Sequence, residues 1–130
     1  MDLFILSISG GLGAIARYLM GQAIMEKYPD PPIPLAMLIV NILGALGLGF
    51  FYGVYFRSIP MYAYGDLWFL VLGVGFFGAF TTFSTFSMEA LELLRKKLYQ
   101  KLIWYVAISL LGSIGMFSAG YGLGLWTWID

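Results

Sequence analysis

LWFLVLGVGFFGAFTTFSTFSMEALELL, from Leu67 to Leu94, is one apolar run with a polar stripe set into its middle. Its first half holds only apolar side chains and the glycines Gly73, Gly75 and Gly78. Thr81, Thr82, Ser84, Thr85 and Ser87 then interleave with Phe80, Phe83 and Phe86, with no charge before Glu89. A run this long and apolar reads as a helix that crosses a lipid bilayer, for which ~20 residues suffice. Inside a bilayer, hydroxyls and irregular backbone are tolerated only where they pair, face other protein or line a water-filled path. The stripe therefore marks a place where something polar crosses. The run is longer than a membrane requires. Tilt would absorb the excess, but a helix break within residues 78–82 does so better, because glycine and hydroxyl side chains let carbonyls leave the helical ladder.

Three similar runs flank it, from Leu3 to Met25, Pro34 to Phe56 and Leu102 to Trp126. Together the spans 3–25, 34–56, 67–94 and 102–126 predict one four-helix transmembrane domain over residues 1–130, all-α and multi-pass. The breaks are polar or proline-rich: Glu26 to Pro32, Arg57 to Asp66, and Arg95 to Lys101. Composition agrees. Hydrophobic residues make up 61%, charged residues only 11%, and mean hydropathy is +0.87. A soluble domain carries about 25% charged residues. The start Met1-Asp2 lacks a basic segment, so the first run reads as a retained span rather than a signal peptide.

Absent residue types exclude whole classes of chemistry. Without cysteine there are no disulfides or thiolate metal sites, and without histidine the usual near-neutral proton switch is missing. A net charge of +0 leaves no basic patch for nucleic acid. No nucleophile–base pair can be assembled, so the chain is not read as an enzyme. Four spans put both termini and the second loop on one side, where Arg57 is the only loop cation. Lys27, Arg95, Lys96, Lys97 and Lys101 lie on the other, which the positive-inside rule makes cytoplasmic.

Several residues inside the spans invite a functional reading beside a plain one. Arg17 and Glu89 are charges in or near membrane helices, and such charges are costly. Glu89 also suits an interfacial position near its helix end, and Arg17 a snorkelling anchor. Asn41, the only amide of the second span, is either interhelical glue or a donor to an anion. Tyr105, Ser109 and Ser113 recur at i, i+4 and form one hydroxyl stripe, read as a polar track rather than ordinary serine packing. Phe83 and Phe86 share a face; aromatic rings there usually only pack, yet their electropositive edges also suit a small anion. Small residues at Gly10 and Ala14, at Ala45, Gly49 and Gly53, at Gly115 and Ala119, and at Gly120 and Gly124 predict close helix contacts, and hence self-association.

Gly10 to Tyr18 in the first span, Asn41-Ile42-Leu43-Gly44 in the second and Gly75 to Ser87 in the third resemble the small bacterial fluoride channels, the Fluc or CrcB family. The resemblance extends over all four spans. It implies a passive channel of the bacterial inner membrane that exports cytoplasmic fluoride and so lowers its toxicity. It further implies an antiparallel, dual-topology homodimer with two pores, a heterodimer with a paralogue being the other arrangement. A structural Na+ ion, not transported, would sit at the dimer centre on the backbone carbonyls of Gly78 and Thr81. The fluoride pathway would run along Asn41, Phe83, Phe86, Thr82, Ser84, Thr85, Tyr105, Ser109 and Ser113, with Arg17 and Glu89 as structural or pore-mouth charges. Ala79 stands where the family commonly has a second glycine, and Phe80 where a leucine is usual. The uneven loop charge also differs from a subunit that inserts equally both ways.

A proton-coupled four-helix exporter of drugs or ions is the alternative reading. It needs a deep carboxylate, and Glu89 sits too near its helix end to serve well. A non-transporting scaffold would explain the glycines but not the polar and aromatic stripe.

Overall fold

The computed structural model describes residues 2–60 and 64–129, and these are helical apart from short connections. Helix α1 spans Asp2–Lys27. Helix α2 spans Leu35–Phe51 and continues with wider, π-type winding through Tyr52–Phe56. Helix α3 is π-wound over Phe69–Phe77 and ends in the turn Gly78–Phe80. Helices α4, Phe83–Arg95, and α5, Tyr99–Trp126, complete the chain. Four stretches are long and apolar enough to cross a membrane: Asp2–Lys27, Leu35–Phe56, Phe69–Arg95 and Tyr99–Trp126. They match the four expected spans with small shifts at their ends. Of the second loop, expected from Arg57 to Asp66, residues 61–63 lie outside the described residues.

Side chains face outward on a scale that only lipid or a protein partner accommodates. Leu3, Phe83, Leu111 and Ile129 are each more than 70% exposed. The buried apolar set is small, with Val40 and Tyr105 at its most enclosed points. Large exposed apolar surfaces mark membrane or protein contact. This is a membrane protein.

Glycine holds the helices together. Along the seam between α2 and α5, a β-carbon at Gly49 would run into the Phe117 carbonyl, and one at Gly53 into the Tyr121 carbonyl. Reciprocally, Gly120 lies under the Leu46 carbonyl, and a β-carbon at Gly124 would stand 2.6 Å from the Phe50 carbonyl oxygen. Backbones can meet this closely only where side chains are missing. The expectation that these small-residue faces serve self-association is thus corrected for α2 and α5, which use them on each other within one chain. Gly115, by contrast, meets nothing within 4 Å. Helix α1 lies against α3 in the same manner, Gly13 beneath the Phe76 carbonyl.

At one end of the bundle α2 is clasped to the end of α5. Arg57 takes a left-handed φ of 56°, and its N–H donates to the Tyr52 carbonyl at 3.0 Å. Its guanidinium lies 3.5 Å from the centre of the Trp128 ring, a cation–π contact. The Trp128 indole N–H donates to the Val54 carbonyl at 2.8 Å, and the Tyr121 hydroxyl donates to the Arg57 carbonyl at 3.1 Å. The proline-rich first connection and the third connection meet at the opposite end, around an open pocket of about 310 Å³. The basic loops therefore share an end, as four antiparallel spans require.

Candidate functional site

The third span opens where its hydroxyls begin. Thr81 (φ −84°, ψ 157°) and Thr82 (φ −147°, ψ 116°) are extended, so α3 stops at Phe80 and α4 starts again at Phe83. Thr82 restarts it as N-cap: its Oγ1 accepts the Thr85 N–H at 3.2 Å and its hydroxyl donates to Thr85 Oγ1 at 3.3 Å. The break falls within residues 78–82, although Gly78 itself keeps helical angles (φ −61°, ψ −37°).

Asn41 on α2 pins the break from the side. Its Nδ2 donates to the Thr82 carbonyl at 3.0 Å, and its Oδ1 accepts the Thr82 N–H at 2.8 Å. One side-chain amide thus holds both backbone groups of a residue taken out of the ladder. Asn41 is therefore a tether between α2 and the third span; its amide NH₂ carries two hydrogens, and one is committed here.

These diversions release carbonyls. In an unbroken helix the Gly78 carbonyl would accept from Thr82 N–H, which instead donates to Asn41. The Thr81 carbonyl would accept from Thr85 N–H, which instead donates to Thr82 Oγ1. The residue pair singled out for its oxygens is the pair whose usual donors are engaged elsewhere. Gly78 also lies at the exposed surface of the chain. Neutral carbonyl oxygens are the donor type a hard cation accepts, so these residues fit the group that the resemblance implies. Among the described residues no cluster of three or more acidic side chains offers another such place.

Beside the break runs an open groove of about 360 Å³ between the third span, α2 and α5. Asn41, Thr81, Thr82, Phe83, Phe86, Ser109 and Ser113 all line it, so residues far apart in sequence converge there. The Phe83 and Phe86 rings lie 5.8 Å apart, tilted by 37°. Phe86 stacks on Tyr105 at 5.3 Å, while Phe83 is 79% exposed. Ser109 stands out because its hydroxyl oxygen is buried and has no hydrogen-bond partner. A buried polar group left unpaired is costly, and Ser109 carries this one on the groove wall.

The remaining candidates stand apart from the groove. Ser84 is exposed, and Thr85 serves the N-cap. Tyr105 is fully buried, and its hydroxyl donates to Glu89 Oε2 at 2.6 Å. Glu89 in turn lines the pocket at the basic end, with Pro32, Glu92, Lys96 and Lys101, where Lys96 pairs with Glu92 at 3.0 Å. Sequence reasoning found no partner for Glu89. The signal was available, since Glu89 and Tyr105 lie equally far on either side of Lys97 in a tight helical hairpin. Arg17 is half-buried on α1, with no ion pair among the described residues.

A membrane helix opened in mid-span, beside a groove lined by hydroxyls and aromatic rings, is the architecture of a membrane protein with a polar path between its helices. Residues 4–121 match the family described as "CrcB-like protein, Camphor Resistance (CrcB)", and the chain belongs to that family. It is 53% identical over 127 residues to "Fluoride-specific ion channel FluC 1" of Halalkalibacterium halodurans, an alignment covering 97% of this chain and 100% of that one. Identity is 38% over 123 residues to "Fluoride-specific ion channel FluC 1" of Carboxydothermus hydrogenoformans, covering 95% and 93% of the two chains. It is 37% over 125 residues to "Fluoride-specific ion channel FluC" of Thermosipho melanesiensis, covering 96% and 95%.

Proposed function

We propose that this chain is the subunit of a passive, fluoride-selective channel that carries fluoride out of the cytoplasm. The carrying observation is the groove itself: an unpartnered buried hydroxyl at Ser109, beside the rings of Phe83 and Phe86, next to a pinned helix break. Fluoride is a small anion that holds its water tightly. Hydroxyl donors from Ser109 and Ser113 would replace part of that water, and the positive ring edges of Phe83 and Phe86 would replace more. Thr82, Ser84, Thr85 and Tyr105 belong to the same path in this reading, with Arg17 and Glu89 as structural or pore-mouth charges. All 130 residues form one transmembrane domain, with the basic end in the cytoplasm.

The groove is open on one side and the Gly78 surface is exposed, which supports assembly with a second chain. An antiparallel homodimer would close two such grooves into two pores and bring two breaks together at its centre. Na+ would be held there by the Gly78 and Thr81 carbonyls, supplying a fixed positive charge that favours anions nearby. The uneven loop charge favours one orientation of insertion, and a paralogue of opposite bias would then take the second place.

Fluoride efflux from liposomes tests the reading directly. Equal rates for fluoride and chloride would defeat selectivity, and no flux of either would defeat the channel. Phe83→Ile or Phe86→Ile should each cut fluoride flux about tenfold, the loss of one aromatic-edge interaction of about 1.4 kcal/mol. The assembly should elute unchanged from size exclusion; normal flux in both variants would remove the rings from the path. Purification with N-methylglucamine in place of sodium should weaken the dimer. A dimer equally stable in both media would argue against the central cation.

A further inference from the structure

Helix α2 meets the break twice, through Asn41 and, one turn further on, through Gly44. Positions i and i+3 share a helix face, so both address the same short segment of the third span. Gly44 is buried. A β-carbon built there would collide with the Thr81 Cγ2 methyl and stand 3.1 Å from Phe80 Cδ1 and 3.5 Å from Phe80 Cε1. Neither neighbour is free to give way. The Thr81 hydroxyl donates to the Phe77 carbonyl at 2.8 Å, which fixes its rotamer and aims the methyl at Gly44. Phe80 is only 6% exposed, and its ring is stacked on Phe76 at 5.9 Å with 9° between planes.

We propose that Gly44 is a positioning residue for the ion pathway: its missing side chain is the socket that seats the Thr81 methyl and the Phe80 ring. Asn41 fixes Thr82 by hydrogen bonds, and Gly44 fixes the two residues before it by shape. Together they decide where the chain leaves the helix, and so where the freed carbonyls and the groove wall stand. The inference rests on the reading of this break and groove as the channel's ion path. It also gives Phe80 a task, since the larger ring occupies space that only a glycine on α2 leaves open.

The test compares wild type, Gly44→Ala, Thr81→Ser, the double variant Gly44→Ala/Thr81→Ser, and Gly112→Ala as a control. A β-carbon at Gly112 meets only the Ile42 side chain, at 3.0 Å from its terminal Cδ1 and 3.4 Å from Cγ1, and no backbone. Thr81→Ser deletes the obstructing methyl while keeping the hydroxyl and the carbonyl. Two quantities are read: fluoride efflux from liposomes, and amide hydrogen exchange over residues 80–86. Gly44→Ala should lower efflux about tenfold and speed exchange at Thr82 and Thr85, the displacement expected of overpacking at a tight site. The double variant should return both to within about twofold of Thr81→Ser alone, as two directly touching sites should when their clash is removed. Gly112→Ala should match wild type in both.

Wild-type efflux and exchange in Gly44→Ala would overturn the proposal, as would a double variant no better than the single one. If Gly44→Ala fails to assemble and the double variant assembles, the socket is supported. Failure of both overturns it. A wild-type protein that passes no fluoride would defeat the channel reading instead, and the exchange comparison would still decide the role of Gly44.

Discussion

Asn41→Ala is expected to destabilise the protein by about 4 kcal/mol, two buried backbone groups left unpaired at about 2 kcal/mol each. Thr82 is buried, and its N–H and carbonyl both depend on the one amide. Alanine offers neither donor nor acceptor, and a water entering from the groove would have to bridge both groups at once to replace them. The break must then re-wind or unfold. Thermal unfolding in detergent, followed by tryptophan fluorescence, reads the loss, and an unchanged midpoint would show that Asn41 does not hold the break. Asn41→Asp sharpens the test. Only the neutral acid has both an O–H donor and an acceptor for Thr82. A carboxylate anion at this part-buried place would offer Thr82 no donor for its carbonyl and would carry an unpaired charge between helices. The variant should recover on acidification, whereas Asn41→Ala should not.

Gly49→Ala and Gly120→Ala should each prevent recovery of monodisperse protein. In both, the new methyl group meets the backbone of the opposing helix, at Phe117 and Leu46 respectively. Overpacking in an adaptable core costs about 1–3 kcal/mol, and here no side chain can rotate aside. The α2–α5 contact is the most extensive among the described residues, so separating these helices dismantles the bundle. Gly115→Ala and Gly122→Ala, where nothing lies within 4 Å, supply the comparison on the same helix. They should be neutral or gain up to about 1 kcal/mol in helix propensity. Size-exclusion profiles decide the matter, and four equivalent profiles would refute a glycine-tight seam.

Sequence reading located the spans and the break because both are compositional. Apolar length sets a span, and glycine beside hydroxyls between Gly78 and Thr82 sets the place where a helix can open. It placed Asn41, Phe83, Phe86, Ser109 and Ser113 among candidate residues, and the groove brings them together. It did not reveal what Asn41 is bonded to, because hydrogen-bond direction depends on how α2 lies across the third span. The partner of Glu89 was hidden for the same reason, although the hairpin at Lys97 determines it. Spacing alone could not say whether the small-residue faces look inward or outward. Gly49 and Gly120 proved to face the backbone of the opposing helix, and Gly115 open space. Gly44 stood out only as part of the resemblance, since spacing does not show a glycine matched to a methyl and a ring some forty residues away.

The clamp on Thr82 has a kinetic consequence. In alternating-access transporters, discontinuous helices line sites around which one part of the protein rocks against another. Re-winding this break requires surrendering both bonds to Asn41, and then driving the Thr81 methyl past Gly44. Such a break is a fixed fitting, not a hinge. In the channel proposed here, an ion passing beside it would have no protein cycle to wait for, and its throughput would be set by how fast water is shed and regained.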